Sequence, residues 1–131
     1  MSRLINKTRN NLAVEALEIA DSPIARMRGL LGRSGLPAGA GLLIMHCNAI
    51  HMFFMRFSID AVFLDASMRV VEIAADLHPW RMASCRKARH TLELPAGLAA
   101  SRGIAVGDEL QIVDSAAGSG EQAVSTLPSS Q

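Results

Sequence analysis

The chain has no tyrosine, one tryptophan, four phenylalanines and only two cysteines in 131 residues. With aromatic content at 4%, small and aliphatic side chains must fill most of the interior, so the placement of each aromatic ring carries unusual weight. Cys47 and Cys85 are too few for a disulfide framework, and a reducing compartment keeps both as thiols. A net charge of +1 supplies no global attraction to a phosphate backbone, which requires many uncompensated cations. No apolar run approaches the roughly 20 residues of a spanning helix. Asn10, Asn11 and Glu15 break up what hydrophobicity the first residues have, so no signal peptide is legible. These absences lead to the expectation of a cytoplasmic protein with neither nucleic acid nor membrane as a partner.

The length suits one domain with its own core. Residues 1–11 carry Arg3, Lys7 and Arg9 without an acid and read as a flexible N-terminal arm. Residues 12–114 read as a single β-rich domain, and 115–131, small and polar, as a disordered tail. Strands are expected over 12–20, 41–45, 53–59, 61–64, 69–75, 91–94 and 109–113. The strongest local signal is the alternation of Phe53, Met55, Phe57 and Ile59 with Arg56, Ser58 and Asp60. Asp65, Ala66, Ser67 and Met68 are a connection short enough for a β-hairpin. Two short helices are expected. One opens at Ser22 and Pro23, places Ile24, Met27, Leu30 and Leu31 on one face and ends near Gly32; the other runs from Pro95 to about Gly103. The glycine-rich 34–41 segment lacks the lysine and Ser/Thr of a phosphate loop and reads as a connection. The fold class is therefore mostly β (α+β), a compact small barrel or sandwich.

Four segments in order carry a family pattern: RMRGLL at Arg26 to Leu31, HMFFMRFSIDAVFLD from His51, LELPAG at Leu92 to Gly97, and GIAVGDEL from Gly103. Together they resemble the family called domain of unknown function 192, or uncharacterised protein family 0127, over roughly Val14 to Val113. The resemblance implies a compact, mostly β domain with short helices and no established activity. Two positions depart from the family habit: Ser58 stands where proline is frequent, and Ser67 or Met68 where the hairpin often has glycine.

Half of the histidines and four of the five aromatic residues lie between His46 and Asp65, so a site is sought there. Cys47 with His51 and Cys85 with His90 have spacings that a tetrahedral zinc could use, although the tight knuckles of structural zinc motifs are missing. Asp60, Glu93 and His51 are the candidates for acid and base chemistry, and Asp60 and Glu93, each between apolar neighbours, call for arginine partners such as Arg56, Arg28 or Arg81. No nucleophile is convincing. Met52, Phe54, Met55 and Trp80 offer an adaptable apolar wall, and Arg56, Asp60 and Arg81 the orienting polar groups of a ligand pocket. The favoured reading is a non-catalytic binding module that uses His51, Arg56, Asp60, Trp80, Arg81 and Glu93, without a cofactor, for a small anionic ligand, a peptide or a protein partner. The alternative is a metal-dependent or acid/base enzyme built on Cys47, His51, Asp60 and Glu93.

Overall fold

Alternating and continuous apolar runs pair here into one large sheet. The computed structural model describes residues 2–22, 25–26 and 29–114. The strands are β1 (Ser2–Asn6), β2 (Asn11–Ala20), β3 (Ala40–Ile44), β4 (Ala49–His51), β5 (Ile59–Leu64), β6 (Val70–Leu77), β7 (Met82–Ser84), β8 (His90–Pro95) and β9 (Leu110–Asp114). A short helix, α1 (Leu98–Ser101), precedes β9. Seven strands form a sheet in the order β6-β5-β8-β3-β2-β1-β9, and β4 and β7 form a separate two-stranded ribbon. Among the described strands only β2 and β3 pair in parallel, which requires the long crossover through 21–39. The sheet curls until its edges meet at an Arg69–Glu109 bridge, flanked by Val70 N–H to Asp108 O at 2.8 Å and Leu110 N–H to Met68 O at 2.9 Å. Because β6 and β9 share this one isolated bridge and no continuous ladder, the fold is compact and mostly β rather than a closed barrel.

The central strands β3, β5 and β8 are buried almost from end to end, as expected of strands covered on both faces. On one face Leu43, Val62, Leu64, Leu92 and Leu94 pack with Leu4, Val14 and Leu110, closed by Ala99 and Ile104. On the other, Leu42, Ile44 and Ile59 meet Leu30 and Met52, while Ala61 and Phe63 meet Cys85 and Ala88. Gly41 on β3 is required by this crowding, because a Cβ there would come within 2.9 Å of Leu94 Cδ2.

Three expectations are corrected. The N-terminal arm contains strand β1, which lies between β2 and β9 with Leu4, Ile5 and Asn6 buried; two apolar residues are too short a run to announce a strand. The 53–59 strand is instead a turn region over 52–58, with β5 starting only at Ile59. Met52 is the reason: its N–H donates to Arg81 O and its carbonyl accepts the Trp80 N–H, both at 2.7 Å, so its backbone is committed to the 78–81 turn. Residues 82–84, where no strand is expected, form β7, paired with β4.

The expected helix start at Ser22 and the β5–β6 hairpin are seen, whereas the helical bonds reach Gly29 rather than Gly32. Ser22 Oγ accepts the Ala25 N–H at 3.1 Å, and helical bonds run from Arg26 N–H to Ser22 O and from Gly29 N–H to Ala25 O until Gly29 turns the chain at φ 49. Pro23, Ile24, Met27, Arg28 and the 115–131 tail lie outside the described residues. The hairpin joins β5 and β6, with Met68 at φ 65, which explains why glycine is favoured there.

Asp108 clips the curled edges together. Its Oδ2 accepts from Asn6 Nδ2 at 2.9 Å, Arg9 Nε at 2.7 Å and Ala105 N at 3.0 Å. Burial pushes the Asp108 carboxyl up, but these three donors and the Arg9 charge outweigh it and hold it below the usual value. The native state therefore gives up this proton more readily than the unfolded chain, so the stabilisation is present above the ordinary carboxylate range and lost as pH falls through the lowered native value. Asp108→Asn should cost about 2 kcal/mol near neutrality and flatten the acid limb of a denaturation series. A mutant acid limb as steep as the wild type's would remove Asp108 as its source.

Candidate functional site

Glu93 sits mid-strand on β8, paired with Leu42 of β3 and Ala61 of β5. Strand alternation turns Leu92 and Leu94 into the main core and Glu93 to the opposite face. Only 6% of the residue is exposed, and its Oε1 has no hydrogen-bond partner among the described residues. Burial pushes the carboxyl up to about 7, against the opposing field of Arg33. A buried carboxylate without a donor is costly, so the group favours its neutral form.

Glu93 lines a cavity of about 230 Å³ with Arg26, Gly29, Cys47, His51 and Met52. Leu30, Leu31, Ile44, Ile50, Phe53 and Met55 supply apolar wall. Each element contributes for a local reason: β8 holds the carboxylate, Gly29 lets the chain turn above it, and β4 ends in His51. A Cβ on Gly29 would lie 3.9 Å from Glu93 Oε1. The His51 ring stacks on Phe53 with centroids 4.8 Å apart, and its Nδ1 accepts the Phe53 N–H at 3.3 Å. That assigns the proton of neutral His51 to Nε2, the nitrogen left for a ligand. Cys47 is half-buried and its thiol donates to Ala49 O at 3.0 Å.

A larger cleft of about 590 Å³ lies beside it, lined by Glu18, Ser22, Arg33 and Leu42 among others. Its charged groups already satisfy one another: Arg33 donates to both Glu18 oxygens, at 2.7 and 3.2 Å, and that hydrogen bonding holds the Glu18 carboxyl down. The smaller cavity is the better candidate because its lining includes Glu93, whose Oε1 lacks a partner among the described residues. The other such atom among the described residues, Arg3 Nε, is outside the cavity wall.

Of the six residues expected to bind ligand, the cavity brings together Glu93 and His51. Asp60 is committed elsewhere: its Oδ1 accepts the Asp76 N–H at 2.9 Å and its Oδ2 accepts Gly97 and Ala99 N–H at 3.0 Å each. Among the described residues, backbone donors rather than Arg56 or Arg81 pair this carboxylate. Arg56, Trp80 and Arg81 are exposed and do not line the cavity. Of the apolar wall, Met52 and Met55 do line it, whereas Phe54 is 71% exposed. The four zinc candidates do not converge. Cys85 is buried beside Phe63, His90 Nδ1 accepts the His46 N–H at 3.0 Å, and no group of three or more His, Cys, Asp or Glu among the described residues could hold a metal. Burial, followed by the nearby His46 and Arg89 charges, pushes His90 down. Arg26 and Gly29 were not expected at the site. Their only sequence signal is the RMRGLL segment, whose glycine breaks a helical pattern.

A family model described as DUF192, "Uncharacterized ACR", matches residues 4–112. The UPF0127 protein of Thermococcus sibiricus is 35% identical over 112 residues, covering 82% of this chain and 72% of its own. That of Pyrococcus abyssi is 36% identical over 117 residues, covering 85% and 97%. Among solved structures, a protein of unknown function from Novosphingobium aromaticivorans shares the fold with a TM-score of 0.73 at 23% identity, covering 84% of this chain and 82% of that one. No helix among the described residues is long and apolar enough to cross a membrane.

Proposed function

Because this chain belongs to the DUF192 family, named for its unknown function, we propose from its own geometry that it is a small binding module whose Glu93 cavity takes a compact, mainly apolar ligand bearing an N–H or O–H donor. The observation that carries this reading is the buried Glu93 Oε1, without a partner among the described residues, on a residue that lines a mainly apolar cavity. Most ligand cavities fall in the range of about 300–1,000 Å³, so about 230 Å³ suits a molecule of few heavy atoms or one side chain of a larger partner. Glu93 supplies orientation and His51 Nε2 a second polar contact. Met52 and Met55, with polarizable and adaptable side chains, fit the wall to the ligand. An anion finds no place at Arg56 or Arg81 in this site, since both are exposed outside it.

The test is a titration of the full chain with isobutylamine, isobutanol and isobutane, followed at the methyl resonances of Met52 and Met55. The two donors should bind about tenfold or more tightly than the hydrocarbon, the worth of one buried hydrogen bond. Glu93→Met, of similar volume but without an acceptor, should abolish that preference while retaining hydrocarbon binding. Equal affinity for all three in the wild type would sink the reading.

A further inference from the structure

Tied together by the two Met52 backbone bonds, the 52–58 and 78–81 turns form an apex whose Phe54 and Trp80 side chains, unlike those of Met52, Phe53 and Met55, lie outside the cavity wall. Phe54 is 71% exposed, Trp80 58% and Met82 69%. The Trp80 ring lies 4.8 Å from that of Phe54 and 5.8 Å from that of Phe53. Phe54 and Trp80 both have left-handed backbones, φ 64 and 70, a conformation that disfavours bulky L-residues and is retained where something else selects for it. The core does not select for these rings, since both stand in solvent.

The two formally charged residues within these turns, Arg56 and Arg81, are both cations. Arg56 and Arg81 are exposed and form no ion pair among the described residues. From 77 to 92 the chain has four cations, Arg81, Arg86, Lys87 and Arg89, and no acid. The acid just before this run, Asp76, lies 3.8 Å from His78 Nδ1. We propose that this apex is an interfacial anchor for an anionic lipid surface, with Phe54, Trp80 and Met82 entering the headgroup layer and Arg56 and Arg81 on the lipid phosphates. Exposed apolar rings beside cations fit a partner with an anionic face over an apolar interior, which a bilayer has. Tryptophan in particular suits the boundary between headgroups and acyl chains, and unpaired arginines complement a negative leaflet. The sequence expectation of no membrane partner rested on net charge and the lack of a spanning run. Neither bears on side chains gathered from 54–56 and 80–82 by the fold.

Trp80, the only tryptophan, reports directly. Mixing the full chain with vesicles of phosphatidylcholine and phosphatidylglycerol should shift its emission to the blue and sediment the protein. Binding should be about tenfold weaker to phosphatidylcholine alone, and salt should reduce it. Phe54→Gly removes an anchor and relieves a left-handed backbone, so its Tm should hold or rise by ~3 °C while vesicle affinity falls. Arg56→Gln with Arg81→Gln should erase the preference for anionic vesicles. The proposal is overturned by vesicles that leave the emission unchanged, or by Phe54→Gly binding like wild type. A blue shift that appears without vesicles as protein concentration rises would assign the apex to a second copy and overturn it equally.

Discussion

Glu93→Gln should make the protein more stable above neutrality, by about 2–3 kcal/mol near pH ~8. The wild-type carboxyl is pushed up to about 7 from an ordinary 4.5, so the native state holds this proton more tightly than the unfolded chain. Its contribution is therefore full below the ordinary value and lost as pH rises to about 7. The full loss, about 2.5 pH units of linkage, is ~3 kcal/mol. Glutamine keeps the shape, cannot ionise, and removes that loss. Denaturant titrations across the pH range should show the two proteins converging in acid, where Asp108 dominates both, and separating as pH rises. Parallel curves would mean that Glu93 already has a donor in solution. A ligand that supplies a donor to the wild-type carboxylate should close the same gap, which connects the stability measurement to the binding reading.

Asp60→Ala should be among the most damaging single substitutions, costing about 4 kcal/mol. Three backbone N–H groups from two separate segments, at Asp76 and at Gly97 and Ala99, converge on this carboxylate, and the residue is 1% exposed. Truncation strands all three donors, frees the start of α1 and loosens the end of β6. Asp60→Asn retains one acceptor oxygen and should cost roughly half as much. Urea denaturation measures both. Binding of isobutylamine to the folded fraction should stay within roughly twofold of wild type, because Asp60 lies outside the cavity wall. A stability loss under ~1 kcal/mol would show that water replaces the carboxylate, and a large loss of binding would return Asp60 to the site.

The long strands were legible because apolar runs of strand length have few alternatives. Residues 12–20, 41–45, 91–94 and the 61–75 hairpin needed only local pattern, and Ser22 announced its turn by capping chemistry. The pattern over 53–59 misled because period-2 alternation records which side chains face inward, not what the backbone bonds to. Met52 spends both of its backbone groups on the 78–81 turn, and a partner nearly thirty residues away leaves no mark in a local window. Strand β1 was hidden for a related reason: Leu4 and Ile5 form a strand because β2 and β9 flank them.

The candidate site divides in the same way. Glu93 and His51 stood out by residue type and by apolar neighbours, properties that travel with the sequence. Asp60 had the same local appearance, yet its oxygens meet three N–H donors while Glu93 Oε1 meets none among the described residues. Sequence alone determined a mostly β fold with buried carboxylates, since composition and periodicity decide what must be hidden from water. Tertiary structure alone decided which carboxylate is satisfied and which is left facing a cavity, because the donors come from segments whose distance in space the order of residues does not specify.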